Sequence, residues 1–235
     1  MTQARSYRYY DFIMGAFVTV LVCSNFIGAA KQAVVDVPFL GLVPFGAGVL
    51  FFPISYIFGD ILTEVYGYGR DRRVVWAGFG ALAFASVMAW VVVNLPPGPS
   101  DFMKSYQPAL DMVFGNAWRI ALGSMIAFWC GSFVNSYILA KMKIWTKGRW
   151  LWTRTIGSTI AGELVDSTLF YVIAFYGIWA TPDIVKVAML QYVLKTSWEI
   201  VMTPVTYRVV AFLKRAEHED YYDRHTDFNP FKLKA

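Results

Sequence analysis

The sequence predicts an all-α membrane protein, a bundle of six transmembrane helices arranged as an inverted 3+3 repeat. Three observations predict it: an apolar composition, six stretches of spanning length, and a polar motif that recurs in both halves. Of 235 residues, 57% are hydrophobic and only 16% are charged, with a mean hydropathy of +0.46. Ordinary soluble domains carry about 25% charged and about 45–50% apolar residues, so this chain has too little polar surface to cover a core in water. The same arithmetic excludes a disordered chain and a disulfide-stapled secreted fold. Cys23 and Cys130 both lie inside apolar runs and need not pair.

A spanning helix needs about 20 mostly apolar residues. The stretches that qualify are 10–30, 47–67, 74–94, 118–140, 155–179 and 186–212. They leave only short loops and tails, so residues 1–235 form a single integral membrane domain with a tail over 214–235. Span one is read as a retained helix rather than a cleaved leader, despite Ala29 and Ala30 near its end, because its apolar region is too long. Span two is entered through Pro38, Pro44 and Pro53 with Gly41, Gly46 and Gly48, which predicts irregular backbone there. Span three carries Ala77, Ala81, Ala85 and Ala89 at every fourth position. That small-residue stripe suits close helix approach, within the chain, at a homodimer face or against another membrane subunit. Trp118, Trp145, Trp150, Trp152 and Trp179 fall near span ends and read as interfacial anchors.

Orientation follows from Lys and Arg in the connections. With the N-terminus inside, Arg5, Arg8, Arg70, Arg72, Arg73, Lys141, Lys143, Lys147, Arg149, Arg154, Lys214, Arg215, Arg224, Lys232 and Lys234 all fall on the inner side. That is fifteen of the 21 basic residues. Lys31, Lys104, Arg119 and Lys186 fall outside. Both termini are therefore expected in the cytoplasm. The net charge of +5 is a topology signal, and nucleic-acid binding is excluded because the basic residues sit at helix ends rather than along one solvated face.

The two halves share a pattern. Asn25-Phe-Ile-Gly-Ala-Ala-Lys31 resembles Asn135-Ser-Tyr-Ile-Leu-Ala-Lys141, and Ser55-Tyr-Ile-Phe-Gly59-Asp60 aligns with Ser158-Thr-Ile-Ala-Gly162-Glu163. Further acids follow at Glu64 and Asp166. Three spans per half is an odd number, so the second copy is inverted, as in many secondary transporters whose substrate site lies where the repeats meet.

Charges at bilayer depth cost at least about 2.5–3.5 kcal/mol on insertion scales and face a cavity or a partner. Asp60 and Glu64 share one helix face, as do Glu163 and Asp166. Asp60, Glu163 and Asp166 lie deep and are read as ligand or coupling groups. Glu64, near the inner interface, is equally well a structural ion partner of a nearby base such as Arg70. Asn25 and Asn135 either bind ligand or bond between helices. Lys195 and Glu199, four apart in span six, favour a self-neutralising pair over a reach across to an acid of span two or five.

Residues 53–70, Pro-Ile-Ser-Tyr-Ile-Phe-Gly-Asp-Ile-Leu-Thr-Glu-Val-Tyr-Gly-Tyr-Gly-Arg, resemble the queuosine precursor transporter family, earlier described as putative vitamin uptake transporters. The likeness continues through Arg154-Thr-Ile-Gly-Ser158, Glu163-Leu-Val-Asp166-Ser167, Lys195, Glu199 and Thr203-Pro204. It implies a bacterial inner-membrane importer of 7-cyano-7-deazaguanine and 7-aminomethyl-7-deazaguanine for tRNA queuosine salvage, working by alternating access. It also implies a fold similar to the vitamin-binding subunits of energy-coupling-factor transporters. The matching polar positions, implied to bind substrate, are Asn25, Ser55, Asp60, Glu64, Asn135, Ser158, Glu163, Asp166, Lys195 and Glu199. The tail after Lys214, with Glu217, Glu219, Asp220, Tyr221 and Tyr222, carries no motif of that family.

A carboxylate suits a deazaguanine, whose ring N–H and exocyclic amine it can accept together, and charge-assisted bonds of this kind are roughly twice as strong as neutral ones. Glu163 or Asp166 is expected to grip that edge, with Asp60 assisting or carrying a coupling proton and Tyr56, Phe170 or Tyr171 stacking on the ring. An enzyme is disfavoured. The only histidines, His218 and His225, fall in the tail, so neither a buried Ser–His pair nor a His-rich metal site is available. No cofactor is implied, and no phosphate-binding Gly-Lys-Ser/Thr motif is present. The rival reading is the substrate-binding subunit of a multi-component vitamin or nucleobase uptake system.

Overall fold

The computed structural model describes residues 7–28, 32–37, 41–114, 118–178 and 180–232. Arg5, Ala29, Ala30, Lys31, Pro38, Trp179 and Lys234 lie outside the described residues. Seven helices are present among them: α1 (Tyr10–Phe26), α2 (Phe52–Tyr66), α3 (Tyr68–Asn94), α4 (Asp101–Phe114), α5 (Trp118–Trp145), α6 (Leu151–Phe175) and α7 (Thr181–Glu217). The helices α3, α6 and residues Ile120–Trp145 of α5 are long and apolar enough to cross a membrane, and α1 is a shorter apolar helix. Large apolar side chains face outward, among them Phe84 and Trp90 on α3, Leu164 on α6 and Val201 on α7, whereas Asp60, Glu64, Arg154, Glu163 and Glu199 are buried. That inside-out distribution is the signature of a helical membrane protein.

Two elements differ from the sequence reading. The chain is not wholly helical: where irregular backbone was expected, β1 (Gln32–Val37) and β2 (Gly41–Gly46) form an antiparallel hairpin, paired from Gln32↔Gly46 to Val37↔Gly41. The three valines of β1 favour a strand, and a short 3-10 turn at Ala47–Leu50 leads on to α2. The connection after span three, expected to be loop, contains α4. Its start is capped by Ser100, whose Oγ accepts the Met103 N–H at 3.3 Å. No residue of α4 is buried.

The central element is α2. Pro53 near its first turn is compatible with a helix start, and every residue from Gly59 to Tyr66 is buried, with α1, α3, α5 and α7 packed around it. Gly67 ends it at φ +87°, ψ 163°, a conformation almost restricted to glycine, and α3 begins at the next residue. The ring of Tyr221 stands where a side chain at Gly67 would lie.

Tyr221 belongs to the tail, which docks on the bundle. Its N–H donates to the Val65 carbonyl at 3.2 Å. The Asp223 carboxylate accepts the Tyr68 N–H at 3.0 Å, and Arg72 and Trp76 donate to the carbonyls of Asn229 and Pro230 at 2.6 and 2.7 Å. The same end receives the start of α1, where the Arg8 and Tyr9 N–H groups donate to the Glu217 carboxylate at 3.1 and 2.7 Å. An anion there complements the helix dipole. A cavity of about 410 Å³ lies under the tail, lined by Tyr66, Arg70, Arg72, Tyr221 and His225 among others.

Replacing Gly67 by Ala is expected to destabilise the protein by roughly 1–3 kcal/mol of backbone strain and to loosen the tail. The checks are thermal unfolding in detergent and protease cleavage after Glu217.

Candidate functional site

Close packing of α5 on α6 builds the first half of the site. A Cβ on Gly162 would lie 2.8 Å from the Asn135 Cβ and 3.0 Å from the Gly131 carbonyl oxygen, so two glycines let the backbones meet. Tyr56 of α2 reaches the same crossing, its hydroxyl close to Gly131. Asn135 is thereby held beside Asp60 of α2, and Glu163 and Asp166 beside Lys195 of α7.

The polar contacts are specific. Lys195 Nζ lies 2.5 Å from Asp166 Oδ2 and 2.9 Å from Glu163 Oε2, and the ammonium also sits 4.6 Å from the centre of the Phe52 ring. Asn135 Nδ2 donates to Asp60 Oδ1 at 2.7 Å. Among the described residues, Glu199, 0% exposed, has no hydrogen-bond partner on either carboxylate oxygen, and Asp60 Oδ2 and the Tyr56 hydroxyl have none either. Asp60 is within electrostatic reach of Glu199, and Glu199 of Glu163. The structure thus gathers Asp60, Asn135, Glu163, Asp166, Lys195 and Glu199 where α2, α5, α6 and α7 meet. The favoured Lys195–Glu199 pair is not formed; Lys195 crosses to α6, where two carboxylates outcompete the single one on its own helix.

The other expected positions lie apart from this cluster or bond within their own helices. Ser55 and Ser158 donate to the carbonyls of Phe52 and Thr155 one turn back. Asn25 accepts from Ser124 of α5 at 2.5 Å and donates to Leu21. Glu64 anchors a second ionic cluster at the tail end. Arg154 grips it with two bonds, Nε to Oε2 at 2.9 Å and Nη2 to Oε1 at 2.7 Å, and Lys214 donates to Oε1 at 2.6 Å. Lys143 stands 3.6 Å from Oε1 and donates to the Glu64 carbonyl at 2.5 Å. Asp220 of the tail takes bonds from Lys143 at 2.6 Å and Lys214 at 2.7 Å. Arg154, Lys143 and Arg72, read from the sequence as loop charges, are each 1% exposed. The helices α5 and α6 run further at this end than expected and carry Lys143 and Arg154 into the protein.

Sequence reasoning missed Gln191, 6% exposed with an unpartnered Oε1. The signal was available: Gln191, Lys195 and Glu199 recur every four residues along one face of α7.

The sequence profile of a family described as "Putative vitamin uptake transporter" matches residues 46–209. The chain belongs to that family. A "Probable queuosine precursor transporter" of Bacillus subtilis (strain 168) is 31% identical over 198 residues, 83% of this chain and 82% of its own. A "Queuosine precursor transporter" of Escherichia coli (strain K12) is 25% identical over 171 residues, 69% of this chain and 71% of its own. No solved structure matches. The chain is a member of a transporter family and not an enzyme, and the mid-bundle cluster is its candidate substrate site.

Two outcomes follow for the tail-end cluster. Arg154→Ala removes the bidentate partner of Glu64 while Lys143 and Lys214 stay beside it, so the cost stays below the ~3–5 kcal/mol of a buried charge left wholly unpaired and is readable as a fall in melting temperature in detergent. For Asp220, burial raises the carboxyl, but the hydrogen bonds from Lys143 and Lys214 outweigh it and hold the group below the usual carboxylate range. A depressed carboxyl stabilises at every pH above its ordinary value and loses that contribution as pH falls through the depressed one. Melting temperature against pH should therefore show an acid-side step that Asp220→Asn diminishes.

Proposed function

We propose that this transporter imports queuosine precursors, 7-cyano-7-deazaguanine and 7-aminomethyl-7-deazaguanine, for salvage into tRNA queuosine. The observation that carries the proposal is the buried Lys195–Glu163–Asp166 group facing Asp60 and Asn135, in a chain whose named relatives are queuosine precursor transporters. The substrate's ring N–H and exocyclic amine donate to Glu163 or Asp166, and Lys195, held between those acids, donates a further bond to the purine carbonyl. Asn135 and Asp60 complete the polar wall, and Tyr56 or Tyr171 offers a ring face. Burial strengthens each such bond because water does not compete for it.

In this reading the protein crosses the inner membrane six times as an inverted 3+3 repeat, with both termini cytoplasmic, and exposes the site alternately to either side. Support comes from the Lys and Arg distribution and from the recurring Asn…Lys and Ser…acid motifs. A fold similar to energy-coupling-factor vitamin-binding subunits belongs to the same proposal. A second reading, the substrate-binding subunit of a multi-component uptake system, draws on the outer face of α3, where Phe84, Val87 and Trp90 are exposed on the helix that carries the alanine stripe. Uptake by the purified protein alone in vesicles separates the two.

Calorimetry of the purified protein with 7-cyano-7-deazaguanine is the direct test. Binding is expected at micromolar strength or better, with guanine much weaker, and Glu163→Gln is expected to abolish it while the protein stays folded. Normal affinity in that variant rules out the assignment of Glu163.

A further inference from the structure

The mid-bundle site holds four carboxyl groups, Asp60, Glu163, Asp166 and Glu199, against one ammonium, Lys195. In a low-dielectric interior a carboxylate with neither a cation nor a hydrogen-bond donor beside it is costly. The contacts show which carboxyl group is left to be neutralised by a proton. Asp166 and Glu163 have Lys195, and Asp60 has the Asn135 amide. Glu199 is fully enclosed with neither oxygen bonded.

Lys195 is the sharper observation. It stands one helical turn from Glu199, the spacing at which oppositely charged side chains on a helix attract, yet its ammonium is drawn across to α6. The two carboxylates of α6 hold the lysine, so Glu199 is left in the interior without a counter-ion, where its neutral form is the less costly one. The titratable groups around Glu199 and its neighbours are Tyr56 and Asp60 from α2, Cys130 from α5, Glu163 and Asp166 from α6, and Lys195 of α7 itself. Lys195 is the one cation among them, and it is committed elsewhere.

We propose that Glu199 is the proton-carrying residue of the transport cycle. It rests on the transporter reading of the same site and adds the coupling ion and its carrier. With Glu199 protonated, Lys195 stays on Glu163 and Asp166 and keeps that pair assembled for substrate, as in this structure. Once Glu199 releases its proton, its carboxylate pulls Lys195 back along α7. Glu163 and Asp166 lose their counter-charge and the substrate site comes apart. One proton enters on Glu199 from the outer side with the substrate and leaves to the inner side with it, so proton and substrate move in the same direction.

Two measurements test this. Infrared spectroscopy of the purified, substrate-free protein near neutral pH is expected to show a protonated-carboxyl C=O band that Glu199→Gln removes and Asp60→Asn leaves in place. A band untouched by Glu199→Gln overturns the proposal, and this arm reads out even where the variant does not transport. In vesicles, an imposed inward proton gradient is expected to drive accumulation of 7-cyano-7-deazaguanine by the wild type, with loss of the gradient response in Glu199→Gln. A response retained by the variant, or wild-type accumulation driven by a sodium gradient in place of a proton gradient, also overturns it. Failure of the wild type to bind any 7-deazaguanine overturns the substrate reading alone, because the infrared arm needs no substrate.

Discussion

The pairing of Glu64 with Arg154 is the constraint on which the rest of the structure depends. A carboxylate enclosed in protein is tolerable only with its charge and its lone pairs satisfied, and the guanidinium fork does both at once. Because Glu64 sits on α2 and Arg154 on α6, the bond pins the central helix to one wall of the bundle. Lys143 and Lys214 add α5 and α7 at the same point. Asp60 lies one turn away on the same face of α2, so fixing Glu64 also fixes the height at which Asp60 meets Asn135.

The two ionic clusters differ in kind. Around Glu64 the cations are in excess, every oxygen is bonded and the tail closes over the group, which is how a protein makes a joint. Around Glu199 the acids are in excess and polar atoms stand unbonded in the interior, which natural proteins retain where a ligand or an ion must come and go. The α5–α6 crossing brings Asn135 against Gly162 and Asp166 against Gly131 without a large side chain between them.

Much of this was legible in the chain itself. The apolar runs fall on α1 to α3 and α5 to α7 with ends that differ by up to six residues, and ionisable residues inside those runs marked the polar interior, because a charge at that depth must have a reason. Three features were not legible. Val34 and Val35 read as part of a loop because a two-strand hairpin beside proline and glycine gives little pattern to detect. The partner of Lys195 was misjudged because helical spacing identifies neighbours on one helix and is blind to the next. The docking of residues 219–232 escaped notice because part of it rests on backbone carbonyls of Phe228, Asn229 and Pro230, acceptors that every sequence carries, and the rest on Asp220 and Asp223 reaching partners far away in the chain. Gln191 is a different case, since its spacing was visible and only its neutrality hid it.

The distance along the chain between Glu64 and its cations bears on biogenesis. Lys143, Arg154 and Lys214 follow it by 79, 90 and 150 residues. A ribosome that has completed α2 and α3 has therefore released an acid for which the matching cations do not yet exist, and the last is supplied only when the end of α7 emerges. Until then the nascent chain must shelter α2 in an insertase or at the membrane surface rather than commit it to lipid. A product truncated before Lys143 keeps an acidic helix without the counter-charges that would bury it.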